Sequence, residues 1–155
     1  MKRVTKKWLI SQSACAEGMR FVTKEGLVGL GVTNFVKRLM EKKKYNWANW
    51  LIARCMTHTQ YTNYAIYAAE QVVHIYNMAY PEDKRVQQAV DAAKRYINDG
   101  AAWAAAGAAA GTAAEAAWAA AGAAEAAWAA AGAAGAEMQI KILTYGINLL
   151  KLGDS

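Results

Sequence analysis

The most restrictive feature of the sequence is an alanine-rich tract at residues 100–136, where 25 of the 37 positions are alanine. The decapeptide Ala-Ala-Glu-Ala-Ala-Trp-Ala-Ala-Ala-Gly occurs twice without change, at 113–122 and 123–132. Alanine has the highest intrinsic helix propensity, because it loses no side-chain entropy in a helix. The tract therefore predicts helices. We expect a hairpin, since one rod over 100–152 would be roughly 80 Å long, which exceeds the size of a compact domain.

Three tryptophans interrupt the alanine tract, at Trp103, Trp118 and Trp128. We expect each indole to fill the space that alanines leave between neighbouring helices, because a buried tryptophan supplies a large apolar area. The alternative is an exposed aromatic platform on which a nucleobase stacks, a contact worth about 1–3 kcal/mol per base. A membrane span is not expected, since Glu115 and Glu125 interrupt the tract.

The rest of the chain also favours helices. Proline occurs once, at Pro81, and no segment sustains the alternation of apolar and polar residues that a half-buried strand shows. We predict an all-α fold, a single-domain helical bundle of roughly six to eight helices with an Ala/Trp-rich C-terminal helical hairpin. The predicted domain spans 1–155 and comprises a basic helical part at 1–99, the repeat helices at 100–136 and a core helix at 137–155.

Apolar residues spaced three and four apart indicate where the individual helices lie. Thr57-His58-Thr59-Gln60 fits a capping box, in which the first and last side chains each bond the other residue's backbone N–H. This box starts a long helix that ends near Tyr80. The other predicted helices run from Lys6 to Val22, from Leu27 to Lys43, from Tyr45 onward, from Pro81 onward, and from Met138 to Leu152.

Positive charge is concentrated in the first part of the chain. Residues 1–99 contain 16 basic and 8 acidic residues, whereas 100–155 contain 2 and 4. Such a part can attract an acidic protein, a nucleotide or a nucleic acid, although runs of lysine are most often a solvated surface. Tryptophan and arginine are favoured as anchors of protein interfaces. The candidate partner-binding residues are therefore Trp47, Trp50 and Arg54, together with the basic residues Lys37, Arg38, Lys42, Lys43 and Lys44.

Residue patterns typical of catalysis or metal binding are missing from the sequence. His58 and His74 have no ligand or nucleophile at a recognisable spacing, and Cys15 and Cys55 form neither a zinc motif nor a disulfide framework. We expect no enzymatic activity, no cofactor and no metal. The apolar run that follows the basic N-terminus is too short for an export signal, so a cytoplasmic location is expected.

The turn Tyr80-Pro81-Glu82-Asp83-Lys84-Arg85 follows an Ala-Glu-containing helix at 68–76 and precedes an alanine-rich helix at 89–94 and the alanine-rich tail with interspersed aromatics. Together with upstream stretches at 14–18 and 47–52, these segments resemble the putative immunity protein family of bacterial and phage genomes. The turn is the most specific of them; it departs from many relatives in having Val86 where they have proline.

The resemblance implies a non-enzymatic protein that neutralises a toxin or defence effector by binding it. Its turn motif, which consists of Glu70, Tyr80, Pro81, Asp83 and Arg85, is expected to be structural, with Arg85 paired to Glu70 or Asp83. Two alternatives remain open at this stage. One is an oligomeric sponge that sequesters a nucleotide-type signalling molecule, and the other is a structural helical assembly module.

Overall fold

The computed structural model describes residues 3–79, 81–82, 84, 87–88, 90–91, 94–95 and 135–152. These residues form six α-helices and no β-strand; Arg3 and Gly31 make an isolated antiparallel bridge. The all-α prediction is confirmed for this part of the chain. The helices are α1 (Lys6–Ser11), α2 (Ala16–Lys24), α3 (Val32–Glu41), α4 (Tyr45–Cys55), α5 (His58–Ala79) and α6 (Ala136–Leu152).

The chain divides into two compact units. The first consists of Met1–Met56 and Gly146–Ser155, and the second of Thr57–Tyr145. The predicted single domain over 1–155 stays a prediction. The predicted Ala/Trp-rich hairpin also stays one, because nearly all of it lies outside the described residues.

Helices α1, α2 and α3 of the first unit all end in the same way, with a residue of positive φ directly after the helix cap. These residues are Ser13 (φ 58°), Gly26 (φ 64°) and Lys43 (φ 56°). In each turn the following residue donates its backbone N–H to a carbonyl five positions earlier, as in Leu27 to Val22 at 2.9 Å. This is the Schellman pattern, which satisfies carbonyls that the helix end leaves without partners.

The first of these turns corrects the predicted helix from Lys6 to Val22. The chain leaves the helical conformation after Ser11, and a second helix starts at Ala16. Cys15 caps that second helix, since its Sγ accepts a hydrogen bond from the backbone N–H of Gly18 at 3.3 Å. Two short helices joined by this turn thus replace one long helix.

The predicted helix from Leu27 to Lys43 is also too long, because α3 begins at Val32. The residues before it pair with the extended N-terminal segment instead. Val4 donates its N–H to the carbonyl of Leu30 at 2.9 Å and accepts one from Gly29 at 2.8 Å. Gly29 has a φ of 93°, which residues with a side chain rarely adopt.

The core of the first unit comes from amphipathic helices. In α3 the buried apolar residues Val32, Phe35, Val36 and Leu39 recur at three and four positions, which puts them on one face. The other buried apolar side chains of this unit are Val4, Leu9, Val22, Leu27, Ala48, Leu51, Ile52, Ile147 and Leu150. Each large side chain buried in this way contributes about 1.5–3 kcal/mol relative to exposure.

The second unit contains α5 and the start of α6. The predicted capping box is confirmed: Thr57 Oγ1 accepts from the Gln60 N–H at 3.3 Å, and Gln60 Oε1 accepts from the Thr57 N–H at 2.9 Å. The rings of Tyr67 in α5 and Tyr145 in α6 stack with centroids 3.9 Å apart and planes 13° from parallel. The predicted long helix ending near Tyr80 is likewise confirmed, since α5 ends at Ala79.

Candidate functional site

The first unit contains an apolar pocket of about 320 Å³ formed by α1, α2, α3, α4 and the α1–α2 turn. We group its lining residues by their exposure. The floor is buried and consists of Leu9, Val22, Phe35, Leu39 and Leu51. The wall is half-buried and consists of Ala14, Gly18, Met19, Trp47 and Trp50. The rim is exposed and consists of Ser13, Cys15 and Asn46.

Helix α4 supplies two of the candidate residues to this wall. Trp47 and Trp50 are three residues apart, and Leu51 follows at the next position, so all three lie on one face of the helix. The helix begins at Tyr45, directly after the turn in which Lys43 takes its positive φ. That turn positions the start of α4 next to the end of α3.

Lys44 contacts the first of the two tryptophans. Its Nζ lies 4.7 Å from the centroid of the Trp47 ring and 5.5 Å from that of Phe21. The two rings meet edge to face, with centroids 5.2 Å apart and planes at 61°. A cation within about 6 Å of an aromatic ring is attracted by the negative face of its π system.

Arg54 contacts the second tryptophan in a similar way. Its Cζ lies 4.3 Å from the centroid of the Trp50 ring, and its Nη1 donates to the Trp50 carbonyl at 3.3 Å. Two tryptophans on successive turns of one helix are therefore each covered by a cation. Lys44 and Arg54 have no carboxylate partner among the residues that the structure describes.

The other predicted basic residues differ in their surroundings. Arg38 pairs with Glu41 at 3.0 Å, and Lys42 pairs with Glu25 at 2.6 Å. The hydrogen bond from Lys42 and its positive charge hold the pKa of Glu25 below its ordinary value, against a smaller opposing effect of burial. Lys37 and Lys43 are exposed and make no ion pair within the described part of the chain. The five residues are thus not an evenly charged patch.

The first unit nevertheless carries a large excess of positive charge. Residues 3–56 contain 11 lysines and arginines, and their acidic residues are Glu17, Glu25 and Glu41. Two of those three glutamates already pair with basic side chains. The first unit is therefore strongly cationic and attracts anions in general.

The structure describes two residues of the turn motif, Glu70 and Pro81, and none of the three repeat tryptophans. Tyr80, Asp83, Arg85, Trp103, Trp118 and Trp128 lie outside the described residues, and so does the predicted pairing of Arg85. Pro81 is exposed in a turn. Glu70 pairs with Lys94 at 2.6 Å, which raises the pKa of Lys94.

Sequence reasoning missed the pocket itself and the Glu70–Lys94 pair. The floor residues are ordinary apolar core residues in sequence, and they form a cavity only when four helices come together. Glu70 and Lys94 are too far apart in sequence for a helical spacing to indicate their contact. The aromatic spacing in α4 was the one signal that pointed to the pocket wall.

Two classes of site do not occur among the described residues. They contain no group of three or more His, Cys, Asp or Glu side chains placed to hold a metal ion. None of their helices is both long enough and apolar enough to cross a membrane. Cys15 and Cys55 form no disulfide with each other.

Comparison with known proteins identifies the family. The sequence pattern of the family described as Imm-5 like putative immunity protein matches residues 52–152. No curated protein and no solved structure matches the chain significantly. The matched segment starts inside α4 at Ile52, so it includes Arg54, α5 and α6, whereas the lining residues of the pocket all precede it. Because the match covers well over half of the chain and confirms the resemblance seen in its motifs, the protein belongs to the Imm-5 like putative immunity protein family.

Proposed function

We propose that the chain is an immunity protein that neutralises a toxin or defence effector by binding it, without catalysis. Membership of a family described as immunity proteins supports this role. Neutralisation by binding needs a surface that recognises a protein. The observation that carries the proposal furthest is the contact between Arg54 and Trp50 on α4.

Trp50 and Arg54 have the properties of an interface anchor. Tryptophan and arginine are the residue types most enriched among side chains that dominate binding energy. Arginine normally loses rotamer freedom when it is immobilised in an interface, at a cost of about 0.5–1.5 kcal/mol. The ring contact and the hydrogen bond to the Trp50 carbonyl already hold Arg54 in place. A partner would therefore meet a pre-organised pair.

The charge of the first unit supports an acidic partner. Lys37, Lys43, Lys44 and Arg54 are basic groups with no carboxylate partner in the described part of the chain. A surface of this kind attracts an acidic protein surface, speeds its association and makes binding weaker at high salt. We propose an effector that presents carboxylates to α4 and to the α3–α4 turn.

A genetic selection tests this function. A library of bacterial and phage open reading frames is introduced into cells that express the chain and into cells that do not. We expect at least one frame that transforms only the expressing cells, and whose purified protein binds the purified chain. Known toxin–immunity pairs in the same library serve as the positive control. If those pairs are recovered and no such frame is found for this chain, effector neutralisation is refuted.

The nucleotide sponge gives a different outcome in a second measurement. The purified chain is denatured, and the released small molecules are identified by mass spectrometry. Under our proposal no nucleotide is released in stoichiometric amount. A nucleotide released at one molecule per chain or per oligomer would support the sponge and contradict neutralisation of a protein.

A further inference from the structure

The pocket of the first unit has the size of a small-molecule site. Its volume of about 320 Å³ falls within the range of ligand pockets, on the order of 300–1,000 Å³. An engineered apolar protein cavity of roughly 150 Å³ stays dry and binds benzene. A volume about twice as large suits a body of two fused rings.

The apolar lining of the pocket indicates the chemistry of the part of the ligand that enters it. The floor is entirely aliphatic or aromatic, as shown by Leu9, Phe35 and Leu39, and the wall adds Met19 and two indole rings. A buried polar group on the ligand would lose its hydrogen bonds to water without replacement at this floor. The part of the ligand that enters the pocket must therefore be apolar, and the tryptophans favour a planar ring system.

The basic residues that contact the wall tryptophans indicate which group the ligand carries at its solvent-exposed end. Trp47 and Trp50 each line the pocket and each carry a cation on the ring, from Lys44 and Arg54. Neither cation has a carboxylate partner among the described residues. An anionic group beside Trp50 would be attracted by Arg54 on that ring. A carboxylate matches Arg54 well, because guanidinium and carboxylate form paired hydrogen bonds.

We propose that this pocket binds a small carboxylic acid with an apolar body of about two fused rings. The ligand would use Trp50 and Arg54, which the proposed effector surface also contains. The apolar body fills the cavity down to the floor. The carboxylate stays in solvent beside Trp50, where Arg54 attracts it.

Calorimetric titration of the full chain with three probes tests the proposal. The probes are 2-naphthylacetate, its neutral analogue 2-(2-naphthyl)ethanol, and acetate. We expect naphthylacetate to bind about fivefold more tightly than the alcohol, as an exposed charge contact allows. Acetate should not bind measurably, because it has no apolar body. Equal affinity for the acid and the alcohol, or no binding of either, would overturn the proposal.

A pair of matched variants locates the binding site. Ala14 belongs to the pocket wall, whereas Ala16 is exposed at the first position of α2 and does not line the pocket. Ala14→Phe should abolish naphthylacetate binding, and Ala16→Phe should leave it unchanged, with both proteins melting as cooperatively as the unsubstituted chain. Unchanged binding by a folded Ala14→Phe protein would rule out the pocket as the site.

Cysteine protection gives a second test that needs no substitution. Cys15 is exposed at the rim, whereas Cys55 does not line the pocket and serves as the internal reference. Saturating naphthylacetate should occupy more than two thirds of the pockets. Because Cys15 then reacts only in the unoccupied fraction, its modification by iodoacetamide should slow at least about threefold relative to that of Cys55. An unchanged ratio contradicts the proposal. Protection by a bound effector but not by naphthylacetate would assign the pocket to a protein side chain and overturn it as well.

Discussion

The guanidinium carbon of Arg54 lies 4.3 Å from the centre of the Trp50 ring, and the same side chain donates a hydrogen bond to the Trp50 carbonyl. One residue thus contacts both the side chain and the backbone of another, four positions earlier on α4. The contact orders an exposed arginine before any partner arrives. It also joins the pocket wall to the segment that matches the family, because Trp50 lines the pocket and Arg54 lies inside that segment.

The capping box predicts a local stability effect. Thr57→Ala removes the hydroxyl that accepts from the Gln60 N–H, so the free energy of unfolding should fall by about 1 kcal/mol. Thr57→Ser keeps an acceptor and should lose less than half of that. Urea unfolding measures both. A Thr57→Ala protein as stable as the Thr57→Ser protein would show that the cap contributes nothing.

Lys43 predicts a stabilising substitution. It is a residue with a side chain held at a φ of 56°, where only glycine is free of a steric penalty. Lys43→Gly relieves this strain but also increases the conformational entropy of the unfolded chain, which opposes folding. The net effect should be a rise of about 1 kcal/mol in the free energy of unfolding. Lys37→Gly, at an exposed position inside α3, should lower it by about the same amount. Destabilisation by both would mean that Lys43 is not strained.

The ion pair between Glu25 and Lys42 predicts a pH dependence. Because Lys42 lowers the pKa of Glu25 in the folded protein, the pair stabilises the fold above the ordinary carboxyl pKa of 4.5. That stabilisation is lost as the pH falls through the lowered pKa. The difference in urea midpoint between the unsubstituted chain and Glu25→Gln should therefore shrink from pH 7 to pH 3. In a Lys42→Gln background the same comparison should show no such trend, and a trend that persists there argues against the pair.

The stack between Tyr67 and Tyr145 predicts that α6 depends on an aromatic ring at position 145. Tyr145→Phe retains the ring and should change stability little. Tyr145→Leu retains apolar bulk without the stack and should be less stable than Tyr145→Phe by about 1 kcal/mol. Thermal unfolding compares the two variants directly, and equal stability would contradict a specific role for the stack.

Features set by neighbouring residues could be predicted from the sequence. The Thr57–Gln60 capping box, the extent of α5 and the helical character of 136–152 follow from hydrogen bonds and apolar spacing within a few turns. The break between α1 and α2 could not. It depends on Ser13 in a left-handed conformation and on a cysteine as helix cap, and neither residue type is a strong signal for that role.

Features that require distant parts of the chain were only partly predictable. The spacing of Trp47, Trp50 and Arg54 placed them on one helix, and the contact between Trp50 and Arg54 is local to it, four positions apart. The position of the two tryptophans in the pocket wall depends on tertiary packing. The predicted basic cluster illustrates the same limit. Charge in the sequence gave no indication that Glu25, seventeen positions earlier, would pair with Lys42, since no local spacing connects them.

The affinity of the purified chain for the effector recovered by selection tests the proposed binding surface on α4 most directly. Calorimetry compares the unsubstituted chain with Trp50→Ala and Arg54→Ala, and with Lys6→Ala as a control at an exposed basic residue of α1. An anchor residue contributes at least about 2 kcal/mol, so each of the first two variants should bind about 30-fold more weakly, while Lys6→Ala binds nearly as well. Full affinity in folded Trp50→Ala and Arg54→Ala proteins would contradict the assignment of this surface to effector binding.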